Sequence, residues 1–266
     1  MGRDDHRWIR VAAAVMTLGL AAGACASDAP STPAATAGVT GDIVVFAAAS
    51  LADSFTRIGT NFEAANPGST VMFNFAASSA LATQINEGAP ADVFASASPA
   101  TMKTVTDAGN AEGTAAVFVK NQLVIAVGEG NPKGIAGLAD LSKPDIKVAL
   151  CAEQVPCGAA AKTVLETAGV TITPVTLEQD VRATLSKLTL GEVDAALVYR
   201  TDAKMATADV DGVEFPESAS ATNDYPIAVL ENAPNQPGAE AFVAFVSSES
   251  AKAVLTDAGF QAPTGR

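Results

Sequence analysis

From Asp42 onward the chain alternates between short apolar runs rich in β-branched and aromatic residues and longer stretches whose apolar residues recur every three or four positions. The first pattern predicts strands at 43–47, 71–75, 93–95, 122–127, 146–150, 171–175, 195–199 and 227–230. The second predicts helices at 51–65, 80–87, 99–108, 158–168, 181–188, 238–247 and 251–258. After Ser50, for example, Leu51, Phe55, Ile58 and Phe62 fall on one helical face. Strands alternating with helices predict an α/β fold of mainly parallel sheets with helices on both faces. Two similar runs, Asn121-Gln-Leu-Val-Ile-Ala-Val127 and Tyr225-Pro-Ile-Ala-Val-Leu230, fit two crossings between a pair of lobes. They fit equally well as ordinary core strands of one sheet.

Two strand-to-helix corners carry hydroxyls: Phe46-Ala-Ala-Ala-Ser50 and Phe75-Ala-Ala-Ser-Ser79. A serine there is expected to cap its helix, and a helix start presents unpaired N–H groups with partial positive charge. Two such corners facing one cleft would bind an anion with neutral donors. Pro156-Cys157-Gly158 and Asp180-Val181-Arg182 open further helices and offer the same donors. Tyr199 ends the run Ala195-Ala-Leu-Val-Tyr199, at the strand end where open α/β sheets place ligand contacts. Asp180 reads as the cap of its own helix. Each position alone has a plain structural reading; five of them in one chain carry the hypothesis.

The beginning of the chain has a different character. Arg3, His6, Arg7 and Arg10 precede an apolar stretch, Val11 to Ala24, too short for a permanent membrane span. Residues 1–24 therefore read as a signal peptide. The sequence Ala22-Gly-Ala-Cys25 resembles a bacterial lipobox, with Ala22 at the usual leucine position, so Cys25 is the expected lipidation site. The alternative is an ordinary cleaved signal with a spare cysteine. Residues 25–41, rich in Ser, Pro, Thr, Ala and Gly, read as a lipid-anchored flexible tether. Roughly 225 residues follow, enough for two modest α/β domains or one large one.

Composition narrows the chemistry. Lys and Arg number 16 against 29 Asp and Glu, which argues against nucleic-acid binding, since phosphate neutralisation needs clustered cations. His6 is the only histidine and Trp8 the only tryptophan, and both leave with the signal. The mature chain then has no Ser-His-Asp triad and no histidine-ligated metal. Gly128-Glu-Gly-Asn-Pro-Lys-Gly134 has the wrong spacing for a phosphate loop and reads as a surface turn. Cys151 and Cys157 are expected to form a disulfide in an exported protein, two buried free thiols being the alternative. No free metal cation and no cofactor are expected.

Six segments together resemble a known family. Phe46-Ala-Ala-Ala-Ser-Leu51, Phe75-Ala-Ala-Ser-Ser79, Gly88-Ala-Pro-Ala-Asp-Val-Phe94, Val155-Pro-Cys-Gly158, Asp180-Val-Arg182 and Ala196-Leu-Val-Tyr-Arg-Thr-Asp-Ala203 are similar to the molybdate-binding proteins of bacterial ABC importers. The similarity runs in order from Asp42 to about Phe260. It implies a two-lobed periplasmic-binding-protein-like fold, with residues 42–121 plus 226–266 as one lobe, 122–225 as the other, and two crossover strands as hinge. By position, the oxyanion ligands it implies are Ser50, Ser78, Cys157, Val181 and Tyr199. Cys157 stands where many relatives have Ala; the contact expected there is its backbone N–H. The resemblance implies a monomeric, non-enzymatic protein, exported and anchored to the outer face of the cytoplasmic membrane. It would capture molybdate or tungstate and deliver it to a permease. Sulfate or another tetrahedral oxyanion is the first alternative; an exported hydrolase using Ser50 or Ser78 as nucleophile is the second. A site made only of donors suits a dianion without a proton, and no proposed ligand titrates between about pH 6 and 8, so binding is expected to be nearly flat there.

Overall fold

A computed structural model describes residues 38–263. The signal segment 1–24, Cys25 and the tether as far as residue 37 lie outside the described residues. The tether's last residue, Gly41, already belongs to a strand.

Two five-stranded sheets form the molecule. The first contains β1 (Gly41–Ala48), β2 (Ser69–Ala76), β3 (Val93–Ala95), β4 (Ala116–Asn121) and β10 (Asn223–Val229), in the order β2-β1-β3-β10-β4. The second contains β5 (Leu123–Gly128), β6 (Val148–Cys151), β7 (Thr176–Glu178), β8 (Ala195–Tyr199) and β9 (Val210–Val213), in the order β7-β6-β8-β5-β9. In each sheet four of the five strands run one way; the reversed strand is β10 in the first and β5 in the second. The sheets are thus mixed, and each has its antiparallel strand next to one edge.

Alternation along β1 shows why the first sheet is covered on both faces. Ile43, Val45 and Ala47 join the core beneath α1 (Ala52–Ala65), α7 (Gln236–Val246) and α8 (Glu249–Ala258). Phe46 points the other way, into the core beneath α2 (Ser78–Asn86) and α3 (Pro99–Asp107). On α1 the predicted face is realised: Phe55, Ile58 and Phe62 are buried, while Asp53, Thr56 and Arg57 are exposed. Phe55 and Phe62 meet Phe242 edge-on, with centroids 6.1 and 5.4 Å apart. The second sheet has one core, where β5 and β8 are apolar throughout and packed by α4 (Pro156–Ala168) and α5 (Val181–Thr189).

The chain passes between sheets at Gln122, the single residue separating β4 from β5. It returns through the 3-10 segment Pro216–Ala221, which packs on α4, and enters β10 at Asn223. The residues at the two passages, Asn121 and Asn223, are register partners. Tyr225, assigned from sequence to the second lobe, is paired with Val119 within the first sheet.

Several elements differ from the expectation. β4 (Ala116–Asn121) is a strand that the sequence reading did not give, separated from β5 by Gln122 alone. β7 falls at Thr176–Glu178, beyond Pro174, which has no N–H to give a ladder. β9 contains Asp211 and Gly212, both poor strand formers, and is held by its pairing with β5. The six-residue α6 (Arg200–Met205) is too short to show a periodic face.

Candidate functional site

The strand ends and helix starts converge. β1 ends at Ala48 and turns through the 3-10 segment Ala49–Leu51 into α1; β2 ends at Ala76 and leads through Ala77 into α2. From the other sheet come the starts of α4 and α5 and the end of β8. Together they line one cavity: Ser50, Ser78, Cys157, Val181 and Tyr199 all face it, with Ala48, Ala49, Ala76, Ala77 and Ala97 between them. All five positions named from the sequence are therefore in one place. Each of the five is buried.

The serines do not cap. No side-chain cap closes either helix start; Ser50 lies within the 3-10 turn and Ser78 is the first residue of α2. Their oxygens are engaged elsewhere. Ser50 Oγ lies 2.9 Å from the Tyr225 hydroxyl, and Ser78 Oγ accepts the Ala97 N–H at 2.9 Å. The expectation of capping fails because the residues before α1 and α2 are Leu51 and Ala77, which have no side-chain acceptor, while Ser50 and Ser78 lie outside the cap position.

The second half of the site is made of backbone. Cys157 follows Pro156 in the first turn of α4, where N–H groups have no intrahelical acceptor. The same holds for Val181 at the start of α5. Asp180 does cap that helix, accepting from Ala183 N at 2.9 Å, as read from the sequence. The loop before α4 is closed by the disulfide between Cys151 and Cys157, with Cα atoms 5.8 Å apart. Gly158 must be glycine there, since a Cβ would run into the Ala152 carbonyl. The Tyr199 hydroxyl is buried and has no hydrogen-bond partner among the described residues. Burial pushes its phenol well above the ordinary value, so the group stays a neutral donor.

Charge stands back from the cavity. Among the described residues lining it, none is Lys or Arg, and Asp180 is the one carboxylate. Arg182 instead bridges two acids: it pairs with Asp53 on α1 and, through Nε at 3.3 Å, with the buried Asp202 on α6. Asp202 Oδ2 also accepts from Tyr199 N at 3.2 Å. Burial pushes the Asp202 carboxyl up to about 7, against the pull of the Arg182 guanidinium. Asp92, in the Gly88–Phe94 motif, has a structural role: its carboxylate accepts from Val44 N at 2.7 Å and Asn235 N at 2.6 Å.

The cavity is small. The centre of a water-sized sphere has about 20 Å³ in which to move. If that space is round, adding the 1.4 Å radius of the sphere gives a free radius of roughly 3 Å. A compact ion fits and a sugar or peptide does not. A small cavity of neutral donors between two α/β halves defines a binding protein for a small anion.

Comparison with known proteins agrees with that class. Residues 43–261 match the family described as bacterial extracellular solute-binding protein, and the chain belongs to it. It is 43% identical over 260 residues to the molybdate-binding protein ModA of Mycobacterium tuberculosis H37Rv, covering 97% of this chain and 100% of that one. Among solved structures, the periplasmic molybdate-binding protein of Azotobacter vinelandii superposes with a TM-score of 0.73 at 19% identity, over 84% of this chain and 100% of that one. The sulfate-binding protein SubI of M. tuberculosis superposes with a TM-score of 0.74 at 20% identity, over 84% and 87%. At those identities the two structures speak for the fold alone, and the fold does not separate the two anions.

Proposed function

We propose that this protein is an extracytoplasmic solute-binding protein that captures molybdate, and tungstate with it, and delivers the ion to the permease of an ABC importer. The carrying observation is the small cavity lined by Ser50, Ser78 and Tyr199 and by the helix starts at Cys157 and Val181, with no Lys or Arg among its lining residues. Donors alone satisfy the oxygens of a dianion that carries no proton, and the 43% identity to a molybdate-binding protein supports the choice of ion. The ion would be held by fixed dipoles without a full ion pair, which leaves it easier to release.

In this reading the two sheets with their helices are the lobes, with the boundary expected after residue 225 moved back to the start of β10 at Asn223, and they are hinged at the passages near Gln122 and Asn223. The protein would act as a monomer, exported by residues 1–24 and anchored through lipid on Cys25. A hydrolase reading finds little support, since the Ser50 and Ser78 oxygens have only a phenol and a backbone N–H beside them and neither acts as a base at neutral pH.

Native mass spectrometry of the desalted protein, offered molybdate, tungstate, sulfate and phosphate together, tests the proposal. The expected complexes are those of molybdate and tungstate. A dominant sulfate complex would move the assignment to the sulfate carriers.

A further inference from the structure

Ser50 ends a buried chain of polar groups that the anion site itself does not require. Its Oγ lies 2.9 Å from the Tyr225 hydroxyl, which lies 3.5 Å from Asn121 Nδ2. Asn121 Nδ2 also donates to Thr201 Oγ1 at 2.8 Å, and Asn121 Oδ1 accepts from Gln122 N at 3.1 Å. Ser50, Asn121, Thr201 and Tyr225 are all buried.

The direction of the protons follows from the two ends. The Gln122 N–H can only donate, so it holds the oxygen of the Asn121 amide and turns the NH₂ toward Tyr225 and Thr201. With an N–H pointing at it, the Tyr225 oxygen is an acceptor on that side, and its single proton goes to Ser50. The reverse arrangement would set the Tyr225 proton against the Asn121 NH₂, donor facing donor in a buried place. Ser50 Oγ therefore accepts from Tyr225, and its own proton is left for the cavity. At Ser78 the Ala97 N–H imposes the same polarity through the backbone.

We propose that Tyr225 is the positioning residue for anion selectivity: by donating to Ser50 it occupies one of that hydroxyl's two lone pairs and keeps its proton available to the ligand, so that the site favours tetrahedral oxyanions without a proton over those that carry one. The proposal rests on Ser50 being a ligand of the anion. Tyr225 touches Ser50 and Asn121, and acts on the ion only through Ser50. In Tyr225→Phe the Ser50 oxygen loses the donor that satisfies it, and accepting the proton of hydrogen phosphate at the cavity then makes good that loss.

Titration calorimetry at pH 7 on the purified wild-type protein, Tyr225→Phe and Ser50→Ala, with molybdate alone and with phosphate in competition, tests this. Tyr225→Phe should weaken molybdate binding by about fivefold, the loss of one neutral hydrogen bond that orients Ser50, and weaken phosphate less or strengthen it. The molybdate-to-phosphate ratio then falls. An equal loss for both anions, or an unchanged ratio, would overturn the proposal, because a merely structural tyrosine does not change that ratio. If Tyr225→Phe fails to fold, Asn121→Ala, which removes the N–H that turns the tyrosine, should lower the ratio in the same direction, and an unchanged ratio there overturns it too. Ser50→Ala separates the two failures: undiminished molybdate affinity in that variant means that Ser50 is not a ligand, and the site assignment falls before the relay is at issue.

Discussion

Tyr199 presents a buried hydroxyl with no partner among the described residues, and a buried donor left unpaired is costly unless something comes to meet it. That argues for an anion at the cavity more directly than the serines do, since each serine already has one protein contact. Tyr199→Phe should therefore leave the fold intact and weaken molybdate binding by roughly ten- to hundredfold, the loss of about 1.5–3 kcal/mol. Calorimetry reads it; unchanged affinity would make Tyr199 a core residue. At this scale the sequence went far with Ser50, Ser78 and Tyr199, whose positions follow from strand-to-helix corners. It did not reveal Tyr225 or Asn121. Tyr225 meets Ser50 across 175 positions and Asn121 across 104, and no local pattern records such pairs. A faint signal existed, since the chain has only two tyrosines and both come to the site, with ring centroids 6.1 Å apart.

At the scale of elements, what was legible followed from periodicity, and what was not followed from pairing. The long amphipathic helices appear where their apolar faces predicted them, but the α2 and α4 starts fall two residues earlier than expected, at Ser78 and Pro156. Those first turns carry few apolar residues, so a periodic reading begins late, and this is where the donors are. β9 and α6 left no pattern because tertiary pairing, not local preference, holds them. The start of α4 depends on the bridge between Cys151 and Cys157, whose six-residue separation makes a small loop. In the chain-entropy picture such a loop contributes about 2 kcal/mol. Replacing both cysteines by Ala should lower the thermal midpoint by several degrees and spare most of the anion affinity, because the proposed contact at Cys157 is its N–H. A scan with and without ligand checks both parts. Loss of binding with an unchanged midpoint would mean that the sulfur itself contributes to the site.

For the whole molecule, the two sheets are alike in plan, each with its reversed strand next to an edge, and the site lies where the carboxyl ends of strands from both halves meet. Among the described residues an ion pair spans them: Arg182 on α5 reaches Asp53 on α1. Both side chains are partly exposed, so a pair of this kind is worth about 0.2–1 kcal/mol. Asp53→Ala should weaken molybdate binding by no more than about fivefold, with the difference shrinking as salt rises. Equal affinities at low salt would show that the pair does not favour closure. Behind it, Asp202 brings a titration that the sequence did not suggest. Its carboxyl is pushed up to about 7 by burial, with Arg182 pulling the other way and Asp53 and Asp180 adding like charge. In the unfolded chain the same group titrates near 3.8. Between these values the folded protein holds a proton that the unfolded chain has released, so stability falls as pH rises from about 4 to about 7 and levels off beyond. One proton sets the limit, about 1.4 kcal/mol per pH unit. The ligating hydroxyls do not titrate in this range, so what pH dependence binding shows should follow Asp202, whose charge above about pH 7 opposes the anion. In Asp202→Asn, which keeps an acceptor for the Tyr199 N–H but carries no charge, that part of the slope should disappear. Denaturation midpoints of both proteins from pH 4.5 to 8 decide the matter, and parallel profiles would mean that Asp202 stays ionised beside Arg182 throughout.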